Sequence, residues 1–78
     1  MLNKESFLMA IGTSLSTIGK SVDTLDYKLS TADFDLNSIE TMLFVSQLEG
    51  SSGVAINFEK IPAINDIQFE DLWNATLS

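Results

Sequence analysis

The sequence predicts an all-α fold: a small four-helix bundle of three longer helices and one short one, with a long ordered loop between the first two. Three observations carry this. Apolar residues recur at helical spacing in three segments, capping residues and glycines bracket those segments, and no stretch alternates apolar and polar residues with the period of two that a strand requires. The 78 residues make one domain spanning 1–78 with one small core, because a chain of this length buries only roughly 60% of its unfolded surface.

In the first helix, Phe7, Leu8, Ile11, Leu15 and Ile18 follow helical spacing, with Asn3 placed to cap the start and Gly19 to end it. Gly12 inside it lowers helix propensity by about 1 kcal/mol relative to Ala, so either another element approaches closely there or the helix depends on packing. Residues 20–37 are rich in Ser, Thr and Asp and lack a sustained period. Scattered through them are Leu25, Tyr27, Leu29, Phe34 and Leu36, which predicts an ordered loop pinned to the core.

The second helix is expected to begin near Ser38 and to stop at Gly50-Ser-Ser-Gly53. Asn37 is a good cap, and Glu40 stands three residues on, in the capping-box position. After an apolar link, Val54-Ala55-Ile56, Asn57 is placed to cap one turn over Phe58 to Ile61, and Pro62 ends it. Asn65-x-x-Gln68 repeats the capping pattern before Ile67, Phe69, Leu72, Trp73 and Thr76, predicting a last helix that runs to the C-terminus.

At 100° per residue, Thr41, Met42, Phe44, Val45 and Leu48 share an arc of about 160° on the second helix, the width of a core-facing stripe. Ile39 and Leu43 fall on the other side, four apart and joined by Ser46, beside Glu40 and Gln47. They read either as ordinary exposed apolar residues or as a patch for a partner.

Composition restricts function. Four Lys plus Arg against eleven Asp plus Glu give a net charge of −7, which repels nucleic acid and anionic membrane surfaces and favours a basic partner protein. There is no Cys and no His, so thiolate metal sites, thiol nucleophiles, the usual zinc ligands and the commonest general base are all missing. An enzyme here would run on carboxylates alone, and no pair of acids stands at a defensible spacing. The run Phe7-Leu-Met-Ala-Ile-Gly12 makes a poor signal peptide, being short, followed by Thr and Ser, and without a cleavage site. No segment reaches the roughly 20 apolar residues of a membrane span, so a cytoplasmic, non-catalytic protein is expected, with no metal.

That leaves the serine in Asp33-Phe-Asp-Leu-Asn-Ser-Ile-Glu40. Ser38 is expected as the first residue of the second helix, where free backbone N–H groups and the helix dipole favour a phosphate; equally, serine commonly just starts a helix. Nothing nearby makes it a nucleophile by itself. If its hydroxyl reacts, another protein supplies the base and the metal.

An acidic loop, then Leu36-Asn37-Ser38-Ile39 opening the helix S-I-E-T-M-L-F-V-S-Q-L-E, then a short link, a short helix and a last helix, resembles an acyl carrier protein over essentially the whole chain. The resemblance implies a 4'-phosphopantetheine arm from coenzyme A, joined to Ser38 by a phosphopantetheinyl transferase. Acyl intermediates are then held as thioesters and presented to separate enzymes such as an acyltransferase or ketosynthase. It implies Ile39, Glu40 and Glu49 as recognition residues on the helix, Asp33 and Asp35 as charge ahead of the serine, and a monomeric carrier.

Met42, Val45, Leu48, Ile61 and Trp73 are candidates to line an acyl pocket, though in so small a chain the same residues also serve as core; Met42 is the one most able to repack. Two positions depart from the family pattern: Asn37 stands where Asp is usual, and Leu43 where an acid is common in carriers of primary fatty acid synthesis. Both move recognition from charge towards apolar contact and tilt the expectation to polyketide or specialised fatty acyl synthesis. The alternatives are an aminoacyl or peptidyl carrier and an unmodified helical interaction module.

Overall fold

The computed structural model of the chain describes residues 3–61 and 66–76. Among these residues it is all-helical, with no strand: α1 (Lys4–Thr17), α2 (Ser38–Ser52) and α3 (Phe69–Ala75), with one-turn 3₁₀ helices at Thr31–Phe34 and Phe58–Lys60. No helix is long and apolar enough to cross a membrane among the described residues.

The caps act where the sequence puts them. Asn3 accepts a hydrogen bond from the Ser6 amide at 2.7 Å, satisfying one of the donors that a helix start leaves open. At the other end of α1, Gly19 takes a left-handed conformation (φ 88°). The Gly19 amide donates to the Ser16 carbonyl and the Lys20 amide to the Leu15 carbonyl, both at 3.0 Å, the paired bonds of a Schellman ending. This turn aims Lys20 at the start of α2.

The core forms where the stripes of the helices meet. Phe7, Ile11 and Leu15 of α1 pack with Phe44, Val45 and Leu48 of α2 and with Phe69, Leu72 and Ala75 of α3, and Ile56, Ile61 and Ile67 of the connections close it. Phe69 lies between Phe34 (centroids 5.8 Å apart, 27° between planes) and Phe44 (6.0 Å, 40°), so the loop, α2 and α3 share one aromatic cluster.

The 20–37 loop is pinned as its composition predicts. Leu25, Tyr27, Leu29, Phe34 and Leu36 are partly buried against the core. At Gly12 a Cβ atom would stand 2.9 Å from Leu25 Cδ2, so the helix propensity given up there corresponds to close approach of the loop. The Tyr27 hydroxyl donates to the Lys4 carbonyl, and Lys4 Nζ lies 4.9 Å from the Tyr27 ring centroid and 3.1 Å from a Glu70 carboxylate, joining loop, α1 and α3.

Three expectations need correction. The last helix is seven residues long, Phe69–Ala75, and starts after Gln68; Asn65 lies outside the described residues. Gln68 instead forms an isolated antiparallel bridge with Ser30. There the Thr31 amide donates to the Ile67 carbonyl (2.9 Å) and the Phe69 amide to the Leu29 carbonyl (3.0 Å). The short helix is a 3₁₀ turn over Phe58–Lys60, capped by Asn57 as expected (Glu59 amide to Asn57 Oδ1, 3.1 Å), and Ile61 is already extended. Finally, Met42 is 74% exposed rather than part of the core stripe. It marks the edge of its arc, about 60° from Val45 on one side and about 60° from Ile39 on the other, and the helix rolls so that the tighter group Thr41, Phe44, Val45 and Leu48 is buried.

Candidate functional site

Ser38 is exposed at the first position of the 15-residue helix α2. Its position is fixed by the residues on either side. Asn37 Oδ1 accepts from the Glu40 amide at 2.8 Å while Glu40 Oε1 accepts from the Asn37 amide at 3.1 Å, a complete capping box. Glu40 Oε2 also pairs with Lys20 Nζ at 3.0 Å. The end of α1 is therefore tied to the start of α2. The Asn37 amide bond, followed by the Lys20 contact, holds the Glu40 carboxyl below its ordinary value.

The loop approaching Ser38 is shaped by its aspartates. Asp33 Oδ2 accepts from the Ser30 amide (2.8 Å) and from the Ser30 hydroxyl (3.2 Å), closing the first 3₁₀ turn. Asp35 ends it in the left-handed region (φ 54°), a conformation that Asp tolerates better than most side chains, and stays exposed. The turn was not legible from periodicity, since four residues give none.

Beside Ser38 opens an apolar cleft of ≈ 590 Å³, lined by Leu36, Asn37, Ser38, Thr41, Met42, Val45, Phe58 and Ile67. Of the five pocket candidates named from sequence, Met42 and Val45 line it. Leu48 and Ile61 are buried core residues, and Trp73 packs against Phe7 with centroids 5.5 Å apart. Sequence reasoning missed Leu36, Thr41, Phe58 and Ile67. Phe58 carried a readable signal, an aromatic residue directly after a capping Asn on a one-turn helix; Leu36 and Ile67 meet there through long-range folding.

Ile39 (73% exposed) and Leu43 (51%) lie on the outer face of α2, and Met42 joins them. Glu49, also on α2, is half-buried and turned inward, its Oε2 accepting from the Ile56 amide at 2.9 Å. No cluster of three or more acids positioned to hold a metal ion occurs among the described residues. The arrangement supplies a held, solvent-accessible hydroxyl at a helix start next to an apolar cleft. Among the described residues no side chain, carboxylates included, hydrogen-bonds to that hydroxyl, and the chain has no His or Cys. Comparison with protein-family models, curated proteins and solved structures finds no match to this chain.

Proposed function

We propose that the chain is an acyl carrier whose Ser38 receives 4'-phosphopantetheine, and that it acts as a partner of acyl-processing enzymes rather than as an enzyme. The observation that carries the reading is the adjacency of an exposed Ser38, at a fully capped helix start, to an apolar cleft. A serine that merely begins a helix has no need of such a neighbour.

The residues present fit the group. Ser38 is open to solvent, and the first turn of α2 offers backbone N–H groups and the positive end of the helix dipole to a phosphodiester. In the attachment step Ser38 Oγ bonds to the β-phosphorus of coenzyme A, the pyrophosphate P–O bond breaks, and adenosine 3',5'-bisphosphate leaves. The hydroxyl proton passes to a base on the transferase, which also brings the metal. When bound, the arm supplies a terminal thiol that carries the acyl group as a thioester.

The chain's own part is to hold the serine and to offer the start of an acyl chain an apolar wall of Leu36, Met42, Val45 and Phe58, which favours acyl over aminoacyl cargo. On this reading the Phe58–Lys60 turn is the short helix of a four-helix carrier bundle, and the carrier is a cytoplasmic monomer serving polyketide or specialised fatty acyl synthesis through an acyltransferase or ketosynthase.

Intact-mass measurement after incubation with coenzyme A and a broad-specificity phosphopantetheinyl transferase tests the proposal. A gain of one phosphopantetheine that disappears in Ser38→Ala is expected. No gain in the wild type leaves the chain an unmodified helical docking module, a reading favoured by the exposed Ile39, Met42 and Leu43.

A further inference from the structure

Met42 belongs to two environments at once. It is 74% exposed, and it lines the apolar cleft beside Ser38 together with Leu36, Val45, Phe58 and Ile67. Its place at the edge of the buried arc of α2 produces this, so the flexible side chain is wetted and still forms part of an apolar wall. Val45 and Ile67 line the same cleft, but both are buried and neither carries an oxidisable atom. The chain has no Cys, so no thiol of its own competes for an oxidant, and the other methionine among the described residues is Met9. Met9 is 70% exposed on α1, where it borders an open groove of Gly12, Thr13, Ser16, Thr17 and Val22 and not the cleft. Two methionines of nearly equal exposure thus stand in different settings, one at the cleft and one away from it.

We propose that Met42 is an oxidation-sensitive site, and that its conversion to the sulfoxide by a peroxide weakens the hold of the cleft on an apolar chain. The inference takes its occupant, an acyl chain, from the carrier reading; the cleft and the thioether are observed without it. The thioether sulfur attacks one oxygen of hydrogen peroxide and the O–O bond breaks. The second oxygen leaves with the bonding pair and takes up the proton of the first, giving water; sulfur is oxidised by two electrons and the peroxide reduced by two. Hydrogen peroxide is uncharged, so the net charge of −7 does not repel it from the exposed sulfur. The product puts a polar S=O group into an apolar wall, and that group loses hydrogen bonds to water when an apolar chain covers it. Because Met42 lies outside the buried core, the cost falls on the occupant of the cleft and not on the fold. Methionine sulfoxide is reducible, so the change is reversible.

The test is binding of the neutral solvatochromic dye Nile red to the chain without its arm, as wild type, Met42→Leu and Met9→Leu, before and after treatment with hydrogen peroxide. Peptide mass mapping assigns the oxygen gained at each methionine, and circular dichroism checks that the fold is kept. Met9 and Met42 are expected to oxidise at rates within about threefold of one another, as their similar exposures imply. Oxidation should raise the Kd of the dye by about fivefold or more in the wild type and in Met9→Leu. In Met42→Leu, which keeps the apolar wall without the sulfur, the rise should be less than about 1.5-fold. Methionine sulfoxide reductases should return the oxidised wild type to its starting Kd, and Met42→Gln, a polar side chain at the same place, should bind the dye more weakly with no oxidant present. An unchanged Kd with Met42 fully oxidised, an equal rise in Met42→Leu, or oxidation of Met42 more than about tenfold slower than that of Met9 overturns the inference. So does an untreated wild type that binds no dye, since the cleft then holds no apolar molecule. The carrier reading fails separately, on the absence of a phosphopantetheine gain at Ser38.

Discussion

Thr31→Val should destabilise this protein although it makes the core more apolar. Thr31 is fully buried in the first 3₁₀ turn, and its hydroxyl accepts from the equally buried Ile67 amide at 3.0 Å, across 36 residues of sequence. Valine has nearly the same shape but removes the acceptor, leaving a buried N–H without a partner at a cost of about 1–3 kcal/mol. The opposing gain from replacing the hydroxyl is smaller, because that hydroxyl is already satisfied. The neighbouring bonds, Thr31 amide to Ile67 carbonyl (2.9 Å) and Phe69 amide to Leu29 carbonyl (3.0 Å), hold the same two segments together, so no easy shift brings the Ile67 amide to water. A net loss of about 2 kcal/mol corresponds to a fall in Tm of roughly 10 °C in a domain of this size. Thr31→Ser keeps the acceptor and should lose about half as much. Urea unfolding followed by circular dichroism and by Trp73 fluorescence measures both; a Val variant as stable as wild type would refute the assignment of this bond as a structural tie.

Asn37→Ala removes the acceptor for the Glu40 amide and should cost about 1 kcal/mol in urea unfolding, while Asn37→Asp keeps the cap and should stay within about 0.5 kcal/mol of wild type. Burial and then the charge of Glu70 push the Tyr27 phenol from 10.0 up to about 12, so the neutral form is favoured in the folded chain. Its contribution is fully present below pH 10 and is lost as the pH rises from about 10 through about 12. The full shift would convert to about 2.7 kcal/mol, and the part-exposed ring reduces this to about 1 kcal/mol. Alkaline unfolding monitored by tyrosinate absorbance should show this phase in the wild type and not in Tyr27→Phe.

Local chemistry was the legible part of the fold. The caps at Asn3, Asn37 and Asn57, the glycine endings at Gly19 and Gly53, and the pairing of Asn37 with Glu40 all act within five residues, and a sequence displays interactions of that range directly. What it did not display are contacts closed over distance. The bridge from Ser30 to Gln68 displaces the start of α3, because residues 67–69 bond to the loop before the helix can form. Glu40 and Glu49 look in sequence like surface acids free for recognition, and their internal bonds depend on where Lys20 and Ile56 arrive in the fold. Met42 sat on the boundary between two faces, and a wheel assigns a face only to residues well inside one.

Those internal bonds bear on the one position where the chain departs from the carrier pattern at the serine. An Asp at position 37 would cap α2 as well as Asn does, but it would set a second carboxylate beside Glu40, and the single Lys20 ammonium balances only one. With Asn37 neutral, Glu40 paired, and Asp33 and Glu49 bound within the fold, Asp35 is the one carboxylate between positions 33 and 49 without such a bond among the described residues. The other acids, Glu5, Asp23, Asp26, Glu59, Asp66, Glu70 and Asp71, lie before this stretch or after it. A phosphodiester at Ser38 would meet Asp33 and Asp35 in the loop before it and a Glu40 balanced by Lys20, one negative charge fewer than an Asp at position 37 would give, with the open N–H groups of the first turn acting in its favour. If Ser38 is modified as proposed, Asn37 in place of Asp lowers the electrostatic cost of that modification by one charge while keeping a side-chain cap on the Glu40 amide.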